Sequence, residues 1–203
     1  MKKIITIFFL FLLVACTNIA KEDSEKIIKD SLNSVINFNH NHNKKYFTYY
    51  ADKSLNQVES GDLYSLFKDG DDTILLSVNI SAVISEKKEE QKFLADNFII
   101  YQIKDKDLYD NEYNFSLYQF DDLYVSYFTI NDFYAVSYSN SLYGITQLSR
   151  KMILLTRNAR VHKKTLLENY AQDKIEDYTR DKIDLFKIVL PSKGRLEDLI
   201  KEE

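Results

Sequence analysis

The spacing of apolar residues changes three times along this chain. From Ile4 to Val14 they run almost unbroken, with Thr6 as the one polar residue. From Ser24 to Asn37 the spacing is helical: Ile27, Ile28, Leu32, Val35 and Ile36 fall on one face, and Asp23 or Ser24 stands where a cap belongs. "NFNHNHNKK" interrupts that pattern, and "YFTYYADKSL" reads as a short further helix. From Thr73 the period becomes two. Ile74, Leu76, Val78, Ile80, Ala82 and Ile84 alternate with polar neighbours, the signature of a half-buried strand. Phe93 to Ile103, Tyr113 to Phe120, Leu123 to Ile130 and Phe133 to Ser139 read as four more strands. "SEKKEEQK", "KDKDLYDNE", Asp121-Asp122 and Asn131-Asp132 separate them. Five consecutive strands with short links predict an antiparallel meander.

After Ser141 the helical period returns, with Ile145, Leu148, Met152 and Leu155 on one face. Its phase slips at "TRNARVHKK". Thr165 and Glu168 have capping-box spacing, so a second helix is expected from there. Leu167, Ala171, Tyr178, Leu185 and Val189 carry its face to Leu190, before Pro191. The expected fold class is α+β: an N-terminal helix, a five-strand antiparallel meander and two C-terminal helices, in a single domain over 24–203. The order of helix then meander is loosely similar to cystatin-like folds.

The first apolar run spans eleven positions. A membrane-crossing helix needs about 20. Eleven suits the middle of a secretory signal, with Lys2 and Lys3 as its positive flank. The run ends in Leu13-Val14-Ala15-Cys16, which resembles the lipobox of bacterial lipoproteins, and Cys16 is the only cysteine of the 203 residues. The resemblance implies cleavage of a signal peptide over 1–15 and acylation of Cys16. Residues 16–23 would then be a lipidated tether. Thr17, rather than an aspartate, follows the cysteine. In that family this favours the outer membrane, where the cell has one.

Beyond the signal, 25 basic residues stand against 31 acidic ones. With 4 glycines and 1 proline, long flexible linkers are not expected. A chain rich in Lys, Asn, Ile and Tyr behind a short lipobox signal looks like spirochaetal surface lipoproteins. Charge is also segregated. No acid occurs from Phe133 to Leu167, and that stretch holds Arg150, Lys151, Arg157, Arg160, Lys163 and Lys164. This predicts a surface for an anionic partner, a protein or an anionic polymer. Nine of the 15 tyrosines fall between Tyr101 and Tyr143, enough to form an exposed aromatic platform on one sheet face.

Candidate chemistry is sparse. His40 and His42 in "NHNHN" could share a metal, but His162 is the only other histidine and zinc wants three or four ligands. Asp105 and Asp107 fit the first two positions of a calcium loop; Tyr109 falls at the third, and no glycine follows. There is no nucleophile elbow and no glycine-rich phosphate loop. The sequence therefore predicts no catalytic residues, cofactor, metal or nucleic-acid partner. It points to a lipid-anchored envelope protein, a surface binding protein or antigen that is not an enzyme. The alternative is a periplasm-facing accessory subunit or inhibitor of an envelope complex.

Overall fold

The computed structural model describes residues 23–36, 39–85 and 98–170. Cys16 with its leader, the start of the strand expected from Phe93, and the expected helical segment from Ala171 to Leu190 lie outside the described residues. In chain order the elements are α1 (23–32), β1 (His42–Asn43), β2 (Phe47–Tyr49), β3 (Asn56–Ser60), β4 (Tyr64–Asp69), β5 (Asp72–Val78) and α2 (Ile80–Ser85). Then come β6 (Ile99–Lys106), β7 (Glu112–Phe120), β8 (Leu123–Ile130), β9 (Phe133–Ser139), α3 (Leu142–Arg157), β10 (Arg160–Val161) and α4 (Lys163–Tyr170). The class is α+β, with all pairings antiparallel. Seven strands form one sheet in the order β3-β4-β5-β9-β8-β7-β6, and β1-β2-β10 form a small second sheet.

The expected five-strand meander is corrected in two ways. Of the five expected strands, only β6 to β9 follow one another as neighbours. β5 pairs with β9 instead of β6, so the chain after β5 travels from the middle of the sheet to its far edge. The expected strand from Thr73 also stops at Val78. Asn79 donates its amide to the Asp132 carbonyl at 2.7 Å and accepts from the Ala82 amide through Oδ1 at 3.3 Å. This opens a helical turn, so Ile80, Ala82 and Ile84 never join the sheet. β3 and β4 add an edge that the apolar pattern did not predict. The turn that joins β4 to β5 is Asp69-Gly70-Asp71-Asp72, with Gly70 at φ +66°, a conformation that glycine adopts without strain. The turns at Asp121-Asp122 and Asn131-Asp132 are two-residue hairpin links as expected. Asp121 and Asn131 both take positive φ. "YFTYY" is strand β2 and not a helix.

The sheet is buried on both faces, which is why β5 reads Ile-Leu-Leu in place of a strict alternation. One face carries Ile74, Leu76, Phe115, Phe128, Phe133 and Ala135; the other carries Leu75, Tyr118, Val125, Tyr127, Tyr134 and Val136. α3 lies on the first face, against β9, β8 and β5. Small side chains let it approach. Ser126 and Ser137 share a hydrogen bond of 2.6 Å beneath Met152. All four predicted face residues of α3 are buried. So is a second stripe, Thr146, Ile153 and Arg157, because α1 covers α3 from the other side. Thr146 donates to Ser24 at 2.9 Å near the starts of the two helices. Arg157 reaches Ser31 and Ser34 near their ends. α1 and α3 therefore run parallel.

Arg157 is 1 % exposed. Its Nη1 donates to the carbonyls of Ser31 and Ser34, both at 2.9 Å, and to Ser34 Oγ at 3.1 Å. These carbonyls end α1; that of Ser31 also accepts from the Ser34 amide at 3.4 Å and from Ser34 Oγ at 2.8 Å, and Arg157 adds a charged donor. Nη2 donates to Asp107 Oδ2 at 3.3 Å. Asp107 also organises the turn between β6 and β7, accepting from the Tyr109 and Asn111 amides at 2.9 and 3.0 Å. Burial alone would push this carboxyl up. The amides of Asn111 and Tyr109, the Asn111 side chain and Arg157 together outweigh it and hold the group below its ordinary value.

Two outcomes follow. Arg157→Met leaves a buried carboxylate and two helix-end carbonyls without their cation, and should lower unfolding free energy by about 3–5 kcal/mol in urea titration. Lys164→Met on the surface should stay within about 0.5 kcal/mol. Because the folded pKa of Asp107 is depressed, its contribution is present above the ordinary carboxylate pKa of about 3.9 and is lost as pH falls through the folded value. Asp107→Asn should be less stable at neutral pH and lack that part of the acid limb.

Candidate functional site

The six cations of the acid-free stretch do not form one surface. Lys151 pairs with Asp69, and Lys163 with Asp132 at 3.0 Å. Lys164, well exposed, sits 4.0 Å from Glu168. Arg157 is interior and is withdrawn from the anion-binding set: its guanidinium is closed to solvent and committed to α1 and Asp107. Arg160 Nη1 donates to the carbonyls of Arg157 and Ala159 at 3.1 and 2.7 Å, capping the end of α3. Burial pushes this guanidinium below its ordinary value, with Asp107 and Tyr109 pulling the other way. Of the six, Arg150 alone has neither ion-pair nor hydrogen-bond partner among the described residues, and it is exposed.

Arg150 borders a cleft of about 380 Å³ beside α3. Gln147 precedes it on the helical wall, and Leu154 and Asn158 continue that wall toward the end of α3. Val35, just beyond α1, and Tyr50 and Leu55, from the segment between β2 and β3, face them. Val35 is 79 % exposed, because α1 ends at residue 32 and the helical face predicted for Val35 is lost. Tyr50 is held by its neighbours. Asn41 and Ala51 exchange two hydrogen bonds, of 2.8 and 2.9 Å, and Asp52 Oδ1 accepts from the Ser54 amide at 2.8 Å. That amide bond, then the Ser54 side chain, lowers the Asp52 carboxyl against the effect of burial, with Lys151 and Lys53 assisting. Asn158 caps α3. Its Nδ2 donates to the Leu154 carbonyl at 2.8 Å, while its Oδ1 is buried with no hydrogen-bond partner.

A larger cleft, about 630 Å³, opens at the end of the sheet where the β6–β7 and β8–β9 turns meet α2 and α4. Val83, Phe133 and Ala159 form its apolar floor, with Asn111, Arg160 and the Lys163–Asp132 pair around it. Both clefts bring together residues far apart in sequence. Polar Asn111 and Asn158 carry no spacing that marks them out among the many asparagines. Exposed Val35 was indistinguishable from a core position.

The remaining candidates have structural occupations. The His40 ring bridges the Asn158 carbonyl at 2.8 Å and Thr48 Oγ1 at 3.2 Å, so Nε2 carries the proton toward the carbonyl. His42 stacks on Tyr49, with centroids 4.8 Å apart and planes 3° from parallel. His162 Nδ1 donates to the Lys45 carbonyl at 3.1 Å. No group of three His, Cys, Asp or Glu side chains converges as a metal site among the described residues. Asp105 lies on β6 and Asp107 holds Arg157, so the pair forms no calcium loop. The aromatic platform is also corrected. Tyr124 and Tyr127 do lie on opposite sheet faces, but Tyr113, Tyr118, Tyr127 and Tyr134 are buried, and of the nine only Tyr109 and Tyr143 are well exposed. Burial pushes Tyr101 up to about 12.

His42 gives a pH signature. Burial, then Lys44, lowers its pKa, so the unfolded chain takes up the proton first as pH falls below about 6.5. Stability should decline from pH 6.5 down to the folded pKa and then level off. His42→Phe, which keeps the stack on Tyr49, should remove that decline in thermal melts between pH 7 and pH 5.

Among the described residues, no helix is long and apolar enough to cross a membrane. No known family, curated protein or solved structure matches this chain.

Proposed function

We propose that this chain is a lipid-anchored protein of a bacterial envelope, and that its α+β domain is a non-enzymatic binding module displayed on the cell surface. The single observation that carries the display reading is the parallel run of α1 and α3. Six residues, 17–22, lie between Cys16 and the first described residue of α1. Whatever their conformation, a chain of that length spans at most about 20–25 Å. The end held nearest the lipid is therefore the one where Ser24 meets Thr146, with exposed Tyr143 beside it. α3 has 16 residues, so its far end lies about 24 Å further out. The larger cleft opens at that outer end, and the cleft bordered by Arg150 runs along the outer half of α3. A tether at one end and both clefts toward the other suits a module that meets partners beyond the membrane. The acyl chains supply the hold: each buried methylene contributes about 0.8 kcal/mol, and two chains anchor stably.

Cys16→Ala should move the protein from the detergent phase to the aqueous phase in phase partition, with an unchanged melting temperature. If it partitions like the wild type, the anchor reading is wrong. Display is tested with Lys164→Cys near the outer end of the domain and a membrane-impermeant maleimide on intact cells. Labelling is expected. Protection that persists until the outer layer is opened would move the protein to the periplasm-facing role of an accessory subunit or inhibitor.

A further inference from the structure

We propose that the cleft beside α3 binds an extended peptide segment of about four residues, with a single carboxylate on Arg150 and apolar side chains against Tyr50, Val35 and Leu154. This deepens the binding-module reading and is independent of the anchor.

Three observations converge. The first is charge. Of the six cations expected to face an anionic partner, Arg157, Arg160, Lys151 and Lys163 are committed to ion pairs or helix-end carbonyls, and Lys164, exposed beside Glu168, lies on α4 outside this cleft; Arg150 alone borders it without a partner among the described residues. One exposed guanidinium suits one carboxylate, which it can grip with two parallel hydrogen bonds. A polyanion needs a row of cations, and the fold has dispersed that row. The second is exposed apolar surface. Val35 and Tyr50 are two of the few large apolar side chains that face solvent, and both line this cleft. The third is an unsatisfied acceptor. Asn158 lines the far end of the cleft and is 6 % exposed, and its buried Oδ1 has no donor among the described residues. A backbone N–H of the incoming segment supplies one once the cleft wall adjusts around it.

The spacing sets length and direction. Arg150, Leu154 and Asn158 stand at i, i+4 and i+8 along α3, about 12 Å from first to last. An extended chain rises about 3.3 Å per residue, so about four residues span the stripe. Asn158 lies at the C-terminal, negative end of α3, which repels an anion and favours a donor. The acidic residue therefore belongs at the Arg150 end. Lys151 does not compete for it, being paired with Asp69.

The test uses the full-length protein as purified from cells, in neutral-detergent micelles, and pooled hexapeptides, acetylated and amidated so that only side chains carry charge. Pools with one fixed Glu among Leu and Tyr should bind about tenfold better than the matching Gln pools, a preference that fades between 50 and 500 mM salt. Arg150→Gln, on an exposed side chain, should erase the Glu preference. Tyr50→Ala should weaken all apolar pools several-fold without changing the Glu-to-Gln ratio. Lys164→Gln should change neither. Equal binding of Glu and Gln pools, or a preference untouched by Arg150→Gln, overturns the proposal. So does tighter Arg150-dependent binding of heparin or anionic vesicles than of any peptide pool. None of these results touches the anchor reading, which stands or falls on Cys16→Ala.

Discussion

One buried cation holds the architecture in register. Arg157 stands where three elements end: the last turn of α3, the C-terminus of α1 and the turn between β6 and β7. Each end presents acceptors that the local backbone fills only in part. α1 offers carbonyls; the turn offers a carboxylate already gathered in by two amides. A guanidinium, planar and multiply donating, satisfies both at once. The energy gained by pairing two charges in a dry interior is largely offset by their desolvation, so an apolar pair of the same shape could equal it in stability. An apolar pair would not fix which carbonyls sit against which turn. Position is what the pair contributes. With α1 set by Arg157 at one end and by the Ser24–Thr146 hydrogen bond at the other, α3 is held between a helix and a sheet.

That sandwich explains an otherwise odd side-chain choice in α3. At about 100° per residue, Arg157 lies within about 20° of Arg150 and on the far side from Ile145, Leu148, Met152 and Leu155. A helical wheel puts both arginines in water. Only Arg157 is buried, because α1 and the β6–β7 turn overlie the last turn of α3. The same covering buries Ile153 and Thr146. Beneath the helix, Ser126, Ala135 and Ser137 keep the sheet surface low enough for close approach.

What the sequence made legible was whatever rests on local period. β8 and β9 fall where alternation put them, between turns of Asp and Asn that accept positive φ. The core face of α3 was equally plain. β3 was not, since an exposed edge strand reading Asn-Gln-Val-Glu-Ser has no face to alternate. β4 carried a usable signal in Asp69-Gly70, at the tight turn that leads it into β5. The capping box at Thr165 also misled. α4 begins at Lys163, the Leu166 amide donates to the His162 carbonyl, and Leu166 is the buried leucine instead of Leu167. Neither cleft was legible, because each is assembled from three or more segments far apart in sequence, whose meeting is decided by the tertiary fold.

The absence of acids from Phe133 to Leu167 can now be given a physical cause. This stretch contains both ends of α3 and the start of α4, and its cations work mainly inward: Arg157 on the end of α1, Arg160 on the end of α3, Lys151 and Lys163 on carboxylates from hairpin turns. An acid near the end of α3 would face the negative pole of the helix and compete with Asp107 for Arg157. Segregation of charge along the chain thus reflects interior needs more than a surface for polyanions. The same accounting isolates Arg150, which serves no helix end and no turn, yet borders a cleft with exposed apolar walls. A cation with no structural duty, beside apolar surface the core did not absorb, is where the fold has left room for recognition.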